Sequence, residues 1–196
     1  HLSIRRQRQM CIRDRLIAEK PFKEVFHQVF IPLMNEVGVL WQTDTISPAH
    51  EHFMSYLIKQ KLVVNIEKLQ TQAATRLERV FVLSLPMNEI HELGLMYIKY
   101  EILLKGYKVI YLGESMPIEN LKDLKKHFNT ITFISYLTVQ PDRSAVDDYV
   151  SQMTEELLDD STQLWYIGRM VEFINKEIVH ENVSTFNSIT ELVNEL

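Results

Sequence analysis

At 196 residues, with 46% hydrophobic and 24% charged side chains, the chain has the make-up of an ordinary globular protein with room for one large domain or two small ones. Its single cysteine, Cys11, excludes a disulfide framework and a cysteine-built zinc site within one chain. No apolar run nears the roughly 18 residues of a membrane span and no apolar leader opens the chain, so no membrane partner and a cytoplasmic location are expected.

The first fifteen residues stand apart. Their five Arg and one Asp carry +4, and without them the formal charge moves from −5 to −9. Ile4-Arg5-Arg6-Gln7-Arg8-Gln9-Met10-Cys11-Ile12-Arg13-Asp14-Arg15 resembles translated sequencing-adapter sequence. Residues 1–15 are therefore set aside as a non-native segment; the other reading is a basic arm for nucleic acid. On the first reading the natural N-terminus is missing, and a further domain with it. The acidic remainder has no electrostatic footprint for a phosphate backbone.

Residues 16–75 read as a helical bundle. From Phe22 to Trp41, apolar residues recur at Phe26, Val29, Phe30, Leu33, Val37 and Leu40, three or four apart. Pro32 is expected to kink or divide this helix. Ser47-Pro48 opens a second helix, with Ser as N-cap and Pro at the first helical position. It carries Phe53, Met54, Leu57, Ile58, Leu62, Ile66 and Leu69 to about Gln70. Residues 71–77 form a polar linker.

Residues 78–196 alternate strand and helix. Val80–Leu85, Lys108–Leu112, Thr130–Ser135 and Leu164–Ile167 are continuous apolar runs, as in parallel strands covered on both faces, and Val183–Phe186 is a weaker fifth. Helices are expected over His91–Lys105 and Ile118–His127. A third follows Ser144-Ala145-Val146-Asp147, which resembles a capping box. The expected fold is α/β: a helical bundle followed by a flavodoxin-like or Rossmann-like, doubly wound, five-stranded parallel sheet.

Ligands of such sheets bind beyond the carboxyl ends of the strands. There the first turn reads Pro86-Met87-Asn88-Glu89-Ile90-His91-Glu92-Leu93-Gly94. It lacks the glycine patterns that cradle dinucleotides or nucleoside triphosphates. It offers an imidazole, His91, with Glu89 placed to hold its other nitrogen and fix the tautomer. Gly94 leaves room for a flat ligand near the helix start. Read alone, a single loop histidine also fits a structural or solvated role. No nucleophile–base pair and no HExxH motif occurs, so a binding protein rather than an enzyme is expected.

Glu89-x-His91-x-x-Gly94 resembles the D/E-x-H-x-x-G motif of cobalamin-binding domains. The resemblance implies that His91 ligates cobalt from below and that the nucleotide tail is drawn into the protein. Further landmarks are Gly113 in Leu112-Gly113-x-x-x-Pro117, Ser135-x-Leu137, whose serine is implied to lie near the dimethylbenzimidazole tail, and Gly168. A second glycine usual after Gly168 is here Arg169, which puts a side chain where backbone would meet the ligand. In the bundle, Trp41-x9-Glu51-His52 resembles the light-sensing, adenosylcobalamin-dependent branch of the MerR-type transcriptional regulators. There the bundle caps the upper face of the cofactor: Trp41 packs over it, and Glu51 and His52 lie near the adenosyl group. An indole covers an apolar face and a carboxylate accepts from ribose hydroxyls. Singly, Trp41 also fits a core position and Glu51-His52 a solvated first helical turn. The resemblance implies a cobalamin-binding sensor that meets DNA only through a further N-terminal domain, with a homo-oligomer, dimer or tetramer, left open. The alternative is a corrinoid protein of a methyltransferase system, which shares the bundle and the sheet.

Overall fold

The computed structural model describes residues 20–43 and 45–196. The expectations for residues 1–15 lie outside them. The chain divides into two compact units, His1–Asn65 and Ile66–Leu196. Among the described residues no helix is long and apolar enough to cross a membrane.

In the first unit, α1 (Phe22–Val25) runs into a π turn (Phe26–Phe30) and then α2 (Ile31–Gln42). Pro32 is the reason for the interruption. It has no N–H for the carbonyl four residues back, and its ring crowds that carbonyl. The wider π turn immediately before it absorbs the mismatch. The turn also offsets the helical spacing, so Val29, expected on the apolar stripe, is exposed, while Phe22, Val25 and Phe26 are buried. Helix α3 (Pro48–Gln70) starts as expected, with Ser47 Oγ sharing a 2.8 Å hydrogen bond with His50 Nδ1. Its buried stripe is Ile58, Leu62 and Ile66, spaced four apart. Phe53 lies off that stripe and is exposed, contrary to the periodicity reading. The division between the two units falls inside this helix, between Asn65 and Ile66.

The second unit contains β1 (Arg76–Ser84), α4 (Leu93–Leu104), β2 (Tyr107–Gly113), α5 (Ile118–Leu121), β3 (Ile131–Tyr136), α6 (Val146–Leu157), β4 (Thr162–Ile167), β5 (Val183–Phe186) and α7 (Ile189–Glu195). The strands are all parallel, in the order β2-β1-β3-β4-β5. This is the doubly wound sheet expected from the sequence. Side chains alternate between two cores. Val82, Phe133, Leu164 and Tyr166 lie with Val146, Val150 and Met153 of α6. Phe81, Leu83, Ile134 and Trp165 lie with Leu95, Ile98 and Ile102 of α4.

Three local expectations need correction. Arg76 and Leu77, placed in the linker, belong to β1. The helix after β2 ends at Leu121 and continues as a 3-10 turn over Lys122–Lys126. The capping box does not form: Ala145 is the N-cap of α6, and Ser144 Oγ donates to Asp142 at 2.7 Å instead. The Asp142 turn competes for the serine and wins.

Candidate functional site

The strand order reverses direction at β1, so the loops after β1 and β3 flank the switch point where such sheets take ligands. One carboxylate fastens these two loops. Glu89 is 1% exposed. Its Oε1 accepts from the Ile90 and His91 amides at 2.9 and 3.0 Å and lies 2.5 Å from His91 Nδ1. Its Oε2 accepts from the amides of Thr138, Val139 and Gln140 at 3.2, 2.7 and 2.8 Å. Burial pushes the Glu89 carboxyl up, but the hydrogen bonds from His91, Gln140 and Val139 outweigh it and hold its pKa at about 2. Glu89 is thus an anion at neutral pH.

This grip also explains why His91 is not helical. The sequence reading started the helix at His91, but Glu89 claims the amides of Ile90 and His91, and α4 starts at Leu93. The imidazole stays in the loop, its ring fixed from the Nδ1 side, with the side chain 51% exposed. Met87, Ile90 and Val139, on the same two loops, are exposed as well. A titratable ring therefore stands among apolar side chains at the switch point.

The other landmarks gather around the same end of the sheet. Gly113 ends β2 beside Ser84, and its carbonyl accepts from the Leu85 amide at 2.8 Å. Ser115 Oγ accepts from the Asn88 amide at 3.1 Å, tying the β2 turn to the loop of His91. Leu137 is buried; its amide donates to Ile167 and its carbonyl accepts from Met170. Ser135 is buried and shares a 2.9 Å hydrogen bond with Tyr149 Oη.

Gly94, expected to leave room for a ligand, and Gly168 are each pressed by the protein's own atoms. A Cβ on Gly94 would sit 2.5 Å from the Tyr136 ring, and one on Gly168, at φ +116°, would sit 2.4 Å from the Leu137 carbonyl oxygen. Their space is taken by the protein itself. Arg169 is exposed and begins a 3-10 turn that ends at Phe173.

In the first unit, Ser55 Oγ donates to Glu51 Oε1 at 2.6 Å, and His52 Nε2 lies 3.6 Å from Glu51 Oε2 with its side chain 75% exposed. The Trp41 side chain lies outside the described residues. Sequence reasoning missed Tyr136 and Tyr149 as partners of Gly94 and Ser135. The Tyr111 hydroxyl, on β2, donates to Glu92 at 2.9 Å. The aromatic residue between Ser135 and Leu137 was the available signal for Tyr136.

Residues 11–64 match the family model described as "B12 binding domain". Over 151 residues the chain is 28% identical to the HTH-type transcriptional repressor CarH of Myxococcus xanthus, covering 77% of this chain and 46% of that one. It thus spans about half the length of the curated relative it matches. The monomethylamine corrinoid protein of Methanosarcina barkeri has the same fold, with a TM-score of 0.75 at 16% identity over 93% of this chain and 86% of that one. The family resemblance drawn from the motifs is borne out by the B12 match and the repressor relative.

Proposed function

From the match of residues 11–64 to the B12 binding domain and the similarity to a repressor, we propose a cobalamin-binding sensor of a MerR-type transcriptional regulator, with His91 as the lower ligand of cobalt. The observation that carries this reading is the buried Glu89 carboxylate on His91 Nδ1 at the switch point. A carboxylate there fixes the tautomer with Nε2 as the ligating nitrogen and raises its basicity. The donor set suits cobalamin. Among the described residues no three His, Cys, Asp or Glu side chains gather to hold a metal ion. A lone imidazole fits a metal whose macrocycle fills its other in-plane positions, and exposed Met87, Ile90 and Val139 suit the apolar face of a corrin ring.

On the same reading the cofactor is adenosylcobalamin. Trp41, Glu51 and His52 would be the residues that meet its adenosyl group, and Gly94, Gly113, Ser135, Leu137 and Gly168 those that meet the corrinoid on the side of His91. Bound there, the cofactor would supply a light-sensitive cobalt–carbon bond, and Trp41, Glu51 and His52 would be the residues that sense the adenosyl group, provided intact and cleaved cofactor bind the states of the regulator unequally. DNA contact belongs to a further domain, since residues 16–196 carry a net −9.

The test is the absorption spectrum of purified protein mixed in darkness with adenosylcobalamin or methylcobalamin, then illuminated. Wild type is expected to show an imidazole-ligated spectrum that His91→Ala lacks, to prefer the adenosyl form, and to lose that preference in Trp41→Ala. Identical spectra for wild type and His91→Ala would overturn the ligand. Equal affinity for both cofactors, unchanged in Trp41→Ala, would favour a methyl-carrying corrinoid protein.

A further inference from the structure

The loop from β1 to α4 is gripped from two sides, and His91 sits between the grips. On the β3 side Glu89 collects the amides of Thr138, Val139 and Gln140. On the β2 side Ser115 Oγ takes the Asn88 amide at 3.1 Å, and Tyr111 Oη donates to Glu92 Oε2 at 2.9 Å. Glu92 follows His91 directly and is the N-cap residue of α4, but its side chain caps none of the helix amides. Its carboxylate reaches across to the sheet instead.

Tyr111 is a firm post for that reach. Its backbone is fixed in the sheet, in register with Leu83 of β1. Its ring is half-buried and carries the Lys99 ammonium 5.5 Å from its centroid, within range of a cation–π contact. Glu92 and Lys99 are seven residues apart, so two helical turns return them to one side of α4. Tyr111 holds that side twice, by its hydroxyl at Glu92 and by its ring at Lys99. Burial, and then the Glu92 charge, push the phenol above its ordinary range, so the hydroxyl keeps its proton and donates. A single anchor at Glu89 fixes one nitrogen of the imidazole but lets the loop pivot about that carboxylate. A second anchor one residue beyond His91, on a different strand, removes the pivot.

We propose that Tyr111 is a positioning residue for the cobalt ligand: through Glu92 it fixes the backbone at His91, so that the imidazole meets the metal already aimed. The inference rests on the cobalamin reading above, in which His91 ligates cobalt.

Cobalamin titrations of the whole chain test it, read both as affinity and as the share of bound cofactor with an imidazole-ligated spectrum. Tyr111→Phe keeps the ring beneath Lys99 and loses only the hydroxyl. Well below its melting temperature it is expected to bind cobalamin about tenfold more weakly and to show a smaller imidazole-ligated share at saturation. Glu92→Gln retains an acceptor for the hydroxyl and should stay close to wild type in both readouts. Glu92→Ala should lose at least as much as Tyr111→Phe, and adding Tyr111→Phe to it should cost nothing more, because the shared contact is already gone. Affinity and spectrum unchanged in Tyr111→Phe, even with a lower melting temperature, would overturn the inference and make the contact purely structural. Losses that multiply in the double variant would overturn it as well. A wild type without an imidazole-ligated spectrum would overturn the cobalamin reading itself. Should Tyr111→Phe fold poorly, Glu92→Ala against Glu92→Gln serves in its place, with the loss expected in the alanine variant alone and an equal effect in both counting against the inference.

Discussion

Glu89 and His91 share a loop at the end of β1, and Glu51 and His52 share the first turn of α3, yet the two pairs are held very differently. The first carboxylate is buried, and six N–H groups from two loops some fifty residues apart in sequence converge on it. The second is held by Ser55, one helical turn away, and faces a largely exposed histidine at 3.6 Å. One pair is built by the tertiary fold and arrives with its ring aimed. The other is assembled from neighbours along a single helix and leaves its histidine in water. A metal ligand needs the first kind of support; a contact to a group that comes and goes tolerates the second.

The largest break in this comparison is expected from truncating the two glutamates. Glu89→Ala leaves five backbone amides and an imidazole without their acceptor, and should cost the apoprotein about 3 kcal/mol or more in urea denaturation. Glu51→Ala should change stability by less than about 0.5 kcal/mol. Similar losses for both would show that burial of Glu89 carries no special weight. In cobalamin titrations, His91→Ala should weaken binding more than about 100-fold and His52→Ala less than about tenfold. The reverse order would move the metal ligand to the helical unit.

Acid sharpens the contrast. The Glu89 carboxyl is depressed from 4.5 to about 2 on folding, so its contribution is complete above the unfolded value and lost as pH falls towards the folded one. The stability gap between wild-type and Glu89→Ala apoprotein should hold near neutrality and narrow between about pH 4.5 and about pH 2. A gap constant across that window would count against an ionised, hydrogen-bonded Glu89. The smallest effect is expected from Glu51→Gln, which should lower the preference for adenosylcobalamin a few-fold, on the order of one ribose hydrogen bond. An unchanged ratio of affinities would place Glu51 away from the adenosyl group.

Most of the sheet was legible because its strands are buried on both faces and read as unbroken apolar runs; Val183–Phe186 agrees to the residue. The pairing of Glu89 with His91 was legible because both partners are side chains two positions apart. The other half of the same carboxylate was not, since its partners are amides of Thr138, Val139 and Gln140, and backbone donors have no letter in a sequence. Gly94 misled for a related reason. A missing side chain announces a close approach but not what approaches, and Tyr136 fills the space there, as Leu137 does at Gly168. Helical periodicity misplaced Val29 because it assumes a uniform turn, which Pro32 and the π segment break.

The amide grip on Glu89 has a consequence for how this loop can evolve. Every residue except proline supplies an N–H, so the identities at 138, 139 and 140 are free to drift while the carboxylate stays held, and selection acts on the loop's length and path. A lineage can change the side chain shown at Val139, and with it the surface offered to a ligand, without disturbing the aim of His91. Proline at any of the three positions is the change such a lineage cannot accept.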